Sequence, residues 1–287
     1  MSEHIDIGPD HRLGLVLGGG GARGLAAVGI VDVLEERGLR PAMVAGTSMG
    51  ALVGAFLCAG YGAAEIHALA LGSKWTDVID ISASGGLMKG DRFAQWLADR
   101  LPQTFEELDM PLVCTATDID SGELVILDKG DLIVALRATC AFPGAFSPVR
   151  IGERNLVDGG LKSTVPVLAL RGTGMDRVIA CDFQAPLGRP VVPAATDAFR
   201  TWARFWETLT FRRRNLAADI LLKAVDILQA EVCRRQLLDD PPDLLLAPPM
   251  PGVNLEDFRL APKIVELGAA AARAALGNPD QECEVAP

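Results

Sequence analysis

The sequence predicts an α/β fold, in which a mostly parallel sheet is flanked by helices. Two short apolar runs, residues 13–17 and 42–45, each lead into a glycine-rich turn and then into a helical pattern. This repeated order of strand, turn and helix is typical of parallel strands joined by helices that cover the sheet. With 287 residues, 49% of them apolar, the chain is long enough to bury a large core.

The remainder of the chain extends this pattern. Hairpins are predicted around Asp120 to Gly122 and over residues 149–157, and further strands over 177–182 and 243–247. Helices are predicted over 131–140, 198–238 and 262–276. We therefore expect a core over residues 12–182 and a mainly helical C-terminal portion, residues 183–287, that completes the same domain.

The charge and the apolar patterning exclude several classes of protein. The formal net charge of -10 argues against a nucleic-acid partner, which usually requires a basic surface. The N-terminus has neither the basic nor the apolar segment of a signal peptide, and the apolar runs are shorter than a membrane span. These features predict a soluble protein of the cytoplasm.

The cysteines do not indicate a metal site or a disulfide framework. They are widely scattered, with neither a CxxC pair nor a Cys/His cluster. Reduced and mostly buried thiols are the simpler interpretation. The six are Cys58, Cys114, Cys140, Cys181, Cys233 and Cys283.

The strongest local signal for chemistry is a GxSxG pattern centred on Ser48. Gly46 and Gly50 flank it, between a predicted strand and a predicted helix. A sharp turn in this context exposes a serine hydroxyl, and the following helix directs its N-terminus at the reacting group. GxSxG alone is a modest signal, but this context favours a nucleophile over an ordinary loop.

A serine nucleophile needs a base, and the histidines do not supply one. The chain has three, His4, His11 and His67, and none follows residue 67, whereas the α/β-hydrolase order places the histidine late in the chain. The best candidate is Asp158, which follows a strand-like run and precedes Gly159. By itself this is a common Asp-Gly turn, and an aspartate of pKa about 3.9 is a weak base unless burial raises that pKa.

A third element is the glycine-rich turn over residues 18–24. Consecutive glycines that open a helix leave backbone N–H groups free to converge on an anion. The spacing of Gly19, Gly21 and Gly24 also fits a dinucleotide fingerprint, but the acidic residue expected after the second strand is missing. A phosphate-binding P-loop is excluded because no Lys-Ser or Lys-Thr follows. An oxyanion site explains the glycines and the serine turn together.

Together these three motifs resemble the patatin-like phospholipase family, and more narrowly its small bacterial members. They occur in the family's order: GGGARG over residues 19–24, GTSMG over 46–50 and DGG over 158–160. The block RATCAFP over residues 137–143, with the following FSP, and the stretch from Pro241 to Ala275 also agree, so that the resemblance covers nearly the whole chain.

The resemblance implies a three-layer α/β/α fold and a Ser-Asp dyad without histidine. Ser48 corresponds to the nucleophile and Asp158 to the proton acceptor. The expected activity is that of a lipid acyl hydrolase of the phospholipase A or esterase type, acting through an acyl-enzyme without metal or cofactor. The backbone N–H groups of Gly19, Gly20 and Gly21 correspond to the oxyanion hole, with Arg23 fixing it and Gly24, Gly46, Gly50, Gly159 and Gly160 shaping the turns.

Three alternatives remain open at the level of sequence. The same residues would serve an acyltransferase or a thioesterase, and an acyl-binding regulatory protein could keep the pocket without turnover. The substrate is accordingly a lipid or a small acyl ester.

A separate feature is the segment from Trp202 to Arg214. Trp202, Phe205, Trp206 and Leu209 have helical spacing, and Arg212, Arg213 and Arg214 follow. One interpretation is peripheral contact with an anionic membrane face; the other, slightly favoured, is a helix packed on the sheet or against a second copy.

Overall fold

The computed structural model describes residues 11–73, 88–184 and 216–277 and confirms the α/β fold. Its strands are β1 (Leu13–Leu17), β2 (Pro41–Gly46), β3 (Leu112–Asp118), β4 (Leu124–Leu127), β5 (Val149–Ile151), β6 (Arg154–Asp158), β7 (Arg177–Cys181) and β8 (Leu244–Leu246). Its helices are α1 (Ala26–Glu36), α2 (Met49–Cys58), α3 (Ala63–Gly72), α4 (Asp91–Ala98), α5 (Leu132–Thr139), α6 (Leu216–Asp239) and α7 (Ala261–Leu276).

All eight of these strands belong to one mixed sheet. Hydrogen-bonded neighbours follow the path β5-β6-β3-β2-β1-β7-β8, and β4 pairs with β3. The pairings of β1, β2, β7 and β8 are parallel, whereas β4, β5 and β6 pair antiparallel. Every residue of β1 and β3 is buried, because helices and short 3-10 turns cover these central strands.

Two strands share one edge of β3, and this arrangement creates the site. Cys114 pairs with Gly46 of β2 and Leu127 of β4, whereas Ala116 pairs with β4 and with Asp158 of β6. A strand residue has one neighbour on each edge, so β4 occupies one edge and both β2 and β6 lie along the other. Because β2 runs parallel to β3 and β6 runs antiparallel, the C-terminal ends of β2 and β6 face each other.

The C-terminal segment contributes to the same sheet and core. β8 extends the sheet beside β7, and α7 packs on α1 through a close backbone contact. At this contact Gly29 and Gly268 each face the partner helix, and a Cβ on either would overlap a main-chain oxygen. The boundary at residue 183 stays a prediction.

Some sequence predictions concern residues that the structure does not describe. The segment from Trp202 to Arg214, His4 and Cys283 lie outside the described ranges. Within those ranges, no helix combines the length and the apolar composition needed to cross a membrane. The other five cysteines are free, and four of them are buried.

Candidate active site

Ser48 occupies a strained turn between β2 and α2. Its backbone angles are φ 54° and ψ -125°, and it is the only non-glycine residue with positive φ among the described residues. Such a conformation costs on the order of 1–3 kcal/mol and persists only where the surroundings enforce it. The turn places the Ser48 side chain at the N-terminus of α2, as the sequence predicts.

The two glycines of the GxSxG pattern are required by close backbone approach. A Cβ on Gly46 would lie 2.5 Å from the Cα of Ala51, and one on Gly50 would overlap the carbonyl oxygen of Leu17. The helix therefore folds back tightly over the ends of β1 and β2. At both positions the backbone leaves no room for a side chain.

Asp158 ends β6 and is held by main-chain and side-chain hydrogen bonds. It is 3% exposed. Its N–H donates to the carbonyl of Ala141 at 3.0 Å, and its carbonyl accepts from the Thr117 hydroxyl at 3.0 Å. One carboxylate oxygen, Oδ1, accepts the N–H of Gly160 at 2.8 Å. The carboxylate is thus fixed in orientation inside the protein.

The structure brings Ser48 and Asp158 together. Burial raises the pKa of Asp158 to about 6, although hydrogen bonds from the Gly160 N–H and the Ser48 side chain act in the opposite direction. This answers the objection that an ordinary aspartate is too weak a base. The low-dielectric surroundings raise the proton affinity of the carboxylate towards that of a histidine.

The glycine-rich turn lies against Ser48. A Cβ on Gly19 would be 3.5 Å from the Cβ of Ser48. The Gly19 N–H already donates to the carbonyl of Thr164 at 2.9 Å. The N–H groups of Gly20 and Gly21, in contrast, have no acceptor among the described residues. Gly21 has φ 53°, which a glycine adopts without strain.

Arg23 stabilises this turn through hydrogen bonds of its side chain and its main chain. The side chain is 1% exposed, and its Nη2 donates to the Asp226 carboxylate on α6 at 3.0 Å. Its main-chain N–H donates to the carbonyl of Gly20 at 3.1 Å. Burial also raises the pKa of Asp182, against the effect of the Gln184 N–H and of the Arg23 charge. Arg23 therefore anchors the turn to the C-terminal segment through a partly buried ion pair.

Sequence reasoning missed a group of buried threonines that join the three motifs. The hydroxyls of Thr47 and Thr115 lie 2.6 Å apart, and Thr47 also donates to the carbonyl of Ser163 at 2.9 Å. The available signal was polar residues at alternate positions of the otherwise apolar run 112–118. The members are Thr47, Thr115, Thr117, Thr139 and Thr164, each at most 3% exposed.

The described histidines take no part in these contacts. His67 lies on α3, where its Nδ1 is 3.6 Å from the Asp32 carboxylate and its side chain is 41% exposed. It is a surface residue paired with α1. That the site works without histidine stays a prediction.

Comparison with known proteins identifies the family. The family model described as patatin-like phospholipase matches residues 15–171, more than half of the chain. This match covers all three sequence motifs and the strands that carry them. The chain belongs to the patatin-like phospholipase family.

Two individual relatives share about a third or less of their aligned residues with this chain, and both are longer than it. An uncharacterised NTE family protein of Mycobacterium tuberculosis is 33% identical over 67% of this chain and 54% of that protein. Lysophospholipase NTE1 of Debaryomyces hansenii is 27% identical over 97% of this chain and 19% of its own length. This chain thus spans about half or less of these two relatives.

A solved structure supports the fold. The crystal structure of VipD from Legionella pneumophila is similar with a TM-score of 0.59 at 16% identity, over 93% of this chain and 67% of VipD. At this identity the likeness shows the fold alone.

Proposed function

We propose that the protein is a lipid acyl hydrolase that uses Ser48 as its nucleophile and Asp158 as its general base. The observation that carries this proposal is that a strained serine at a strand-helix turn lies beside a buried carboxylate, whose pKa burial raises to about 6 and the neighbouring Ser48 side chain lowers. A base is most effective when its pKa lies near the working pH, and Asp158 meets that condition without histidine.

The reaction follows from the positions of these two groups. Ser48 Oγ attacks the ester carbonyl while Asp158 accepts the hydroxyl proton, and the tetrahedral intermediate collapses when Asp158 returns that proton to the leaving alcohol. The product is an acyl-serine. Water then attacks the acyl group, again with Asp158 as proton acceptor, and the fatty acid leaves as Ser48 recovers its proton. No metal or cofactor enters these steps.

The negative charge of each tetrahedral intermediate needs donors that are free before substrate binds. Among the described residues the N–H groups of Gly20 and Gly21 have no acceptor, whereas that of Gly19 is already bonded to Thr164. The oxyanion site is therefore assigned to Gly20 and Gly21, with Gly19 as the residue that fixes the turn beside Ser48. Arg23 supports the same turn through Asp226.

The substrate class comes from the family and the relatives. Patatin-like phospholipase is the description of the matching family, and one relative is named a lysophospholipase. Carboxylic esters of phospholipids or lysophospholipids are accordingly the first substrates to test.

The decisive experiment combines covalent labelling with turnover. A fluorophosphonate probe should label the protein on Ser48, as mapped by mass spectrometry, and the protein should release fatty acid from p-nitrophenyl esters and phospholipids. Ser48→Ala should lose both the labelling and at least about a thousandfold in kcat. Undiminished labelling of Ser48→Ala would exclude Ser48 as the nucleophile.

Labelling without turnover would separate the alternatives. A protein that is labelled at Ser48 but releases no fatty acid from any ester would be an acyl-binding regulator. Faster transfer of the acyl group to an added alcohol or thiol acceptor than to water would identify an acyltransferase.

A further inference from the structure

One short segment touches both members of the proposed dyad. Residues 139–141 begin at the last residue of α5 and belong to the RATCAFP block, which the proposed chemistry does not use. The Thr139 hydroxyl oxygen accepts the Ser48 N–H at 2.9 Å, and the Ala141 carbonyl accepts the Asp158 N–H at 3.0 Å. The segment therefore spans the gap between the end of β2 and the end of β6.

Cys140 lies between these two contacts and faces the dyad. Burial raises the pKa of its thiol, and the nearby charge of Asp158 raises it further, while a hydrogen bond with the Ser48 side chain acts in the opposite direction. The thiol is therefore protonated at neutral pH and is not a competing nucleophile. Its proximity shows that the whole segment, not Thr139 alone, lies against the reacting groups.

The Thr139 contact acts on the strained residue itself. Ser48 has φ 54°, which is unfavourable for any residue other than glycine. The conformation therefore depends on contacts with the surrounding structure. Thr139 is completely buried, and its hydroxyl oxygen supplies the acceptor that the Ser48 N–H needs away from water. This bond fixes the main chain of Ser48 while leaving its hydroxyl free to bond with Asp158.

The same bond defines which N–H groups remain available at the site. With the Ser48 N–H directed at Thr139 and the Gly19 N–H directed at Thr164, neither competes for the developing oxyanion. On the facing turn, the N–H groups of Gly20 and Gly21 have no acceptor in the part of the chain that the structure describes. Thr139 therefore orients the nucleophile relative to the base and to the oxyanion donors at once.

We propose that Thr139 is a positioning residue, which holds Ser48 in its reactive conformation by accepting its backbone N–H. This inference rests on the proposed role of Ser48. A misplacement of about 1 Å in a reacting group can lower a rate about a hundredfold, so loss of this single acceptor should be visible in turnover.

The test compares three substitutions at Thr139. Thr139→Val keeps the shape but removes the acceptor, and should lower kcat and the rate of fluorophosphonate labelling at Ser48 at least about tenfold, with KM changed less than about threefold. Thr139→Ser retains the hydroxyl and should stay within about threefold of the parent. Thr139→Cys has a weaker acceptor and should fall between them.

A matched control comes from a threonine remote from the site. The Thr173 hydroxyl donates to the carbonyl of Leu170, next to the start of β7, and Thr173→Val should leave kcat and labelling unchanged. Should Thr139→Val not fold, the order of Thr139→Ser above Thr139→Cys in labelling rate still tests the inference.

Two results would overturn the inference. One is a Thr139→Val protein with the parent's kcat and labelling rate; the other is a Thr139→Ser protein as impaired as Thr139→Val or Thr139→Cys. Failure of the proposed function looks different, because Ser48→Ala would then keep its labelling whatever Thr139 does.

Discussion

The turns that carry Ser48 and Asp158 are fixed in contrasting ways. Ser48 has a strained backbone conformation that persists only because the surrounding backbone packs closely around it. Much of this close packing lies within its own β2-α2 unit, at Gly46 and Gly50. Asp158 has a negative φ, with φ -47° and ψ 131°, so its backbone is outside the left-handed region that strains Ser48. Its environment, in contrast, comes largely from other elements, namely Thr117 on β3 and Ala141 after α5.

Each residue therefore makes a different unfavourable contribution to the free energy of the folded protein. At Ser48 the backbone is strained, whereas at Asp158 a charged group is buried. Active sites commonly hold strain or buried charge that the rest of the fold must offset. The two turns should therefore respond differently to substitutions that change shape and to substitutions that change charge.

The largest effect on stability is expected from a change of shape at the Ser48 turn. In Gly50→Ala the new Cβ would overlap the main-chain oxygen of Leu17, which cannot move without displacing β1. We expect loss of the folded protein, or destabilisation by more than about 4 kcal/mol, the range of severe core disruption. Urea unfolding followed by circular dichroism measures this.

Two alanine variants make this comparison quantitative. Gly160→Ala places its Cβ 3.0 Å from Asp158 Oδ1 and from Gln229 Nε2, which are the ends of side chains, so it should be tolerated far better than Gly50→Ala. Gly72→Ala is the neutral control, because nothing lies within 4 Å and the residue ends a helix. Equal stability of Gly50→Ala and Gly72→Ala would contradict the steric account of the Ser48 turn.

A change of charge at the Asp158 turn should have the next largest effect. Burial raises the pKa of Asp158 from 3.8 to about 6, so the folded state favours the protonated form. The stability from this preference is fully present below the unfolded pKa and is lost as pH rises through about 6. Asp158→Asn removes the charge, and at pH 8 it should be more stable than the parent by about 3 kcal/mol, the equivalent of that shift.

The pH dependence provides the check on this prediction. The gain in the free energy of unfolding of Asp158→Asn should shrink as pH falls from 8 to 4, because the parent carboxyl becomes neutral there.

The kcat/KM of the parent should rise with pH through an apparent pKa near 6, since the base must be ionised. An Asp158→Asn protein that is less stable than the parent at pH 8 would show that the ionised carboxylate is well solvated.

The contrast between the turns also explains why the sequence predicts Ser48 more directly than Asp158. Ser48 and its glycines form a local pattern, because the tight turn requires glycine at fixed offsets, and the predicted β2 and α2 agree with the structure. Asp158 could be proposed only by elimination and resemblance, since an Asp-Gly pair is common in turns. Its raised pKa depends on burial, which is a property of the packed fold.

The antiparallel part of the sheet was the harder part to predict. The hairpins were recognisable, but nothing local indicates that β6 joins β2 along the same edge of β3. That register decides which strand ends meet. The threonines that link them were missed for the same reason, because a buried threonine differs from an exposed one only through its tertiary contacts.

The smallest effect is expected from removing the histidines, which belong to neither turn. His67 is paired with Asp32 at 3.6 Å on an exposed helix surface, and exposed ion pairs contribute about 0–1 kcal/mol. A triple variant with glutamine at His4, His11 and His67 should therefore have a free energy of unfolding within about 1 kcal/mol of the parent's. Its kcat on p-nitrophenyl esters should remain within about twofold, because in the proposed mechanism Asp158, and not an imidazole, accepts the Ser48 proton. A fall in kcat of about a hundredfold or more, with the fold intact, is the loss expected for a missing general base and would contradict the Ser-Asp mechanism.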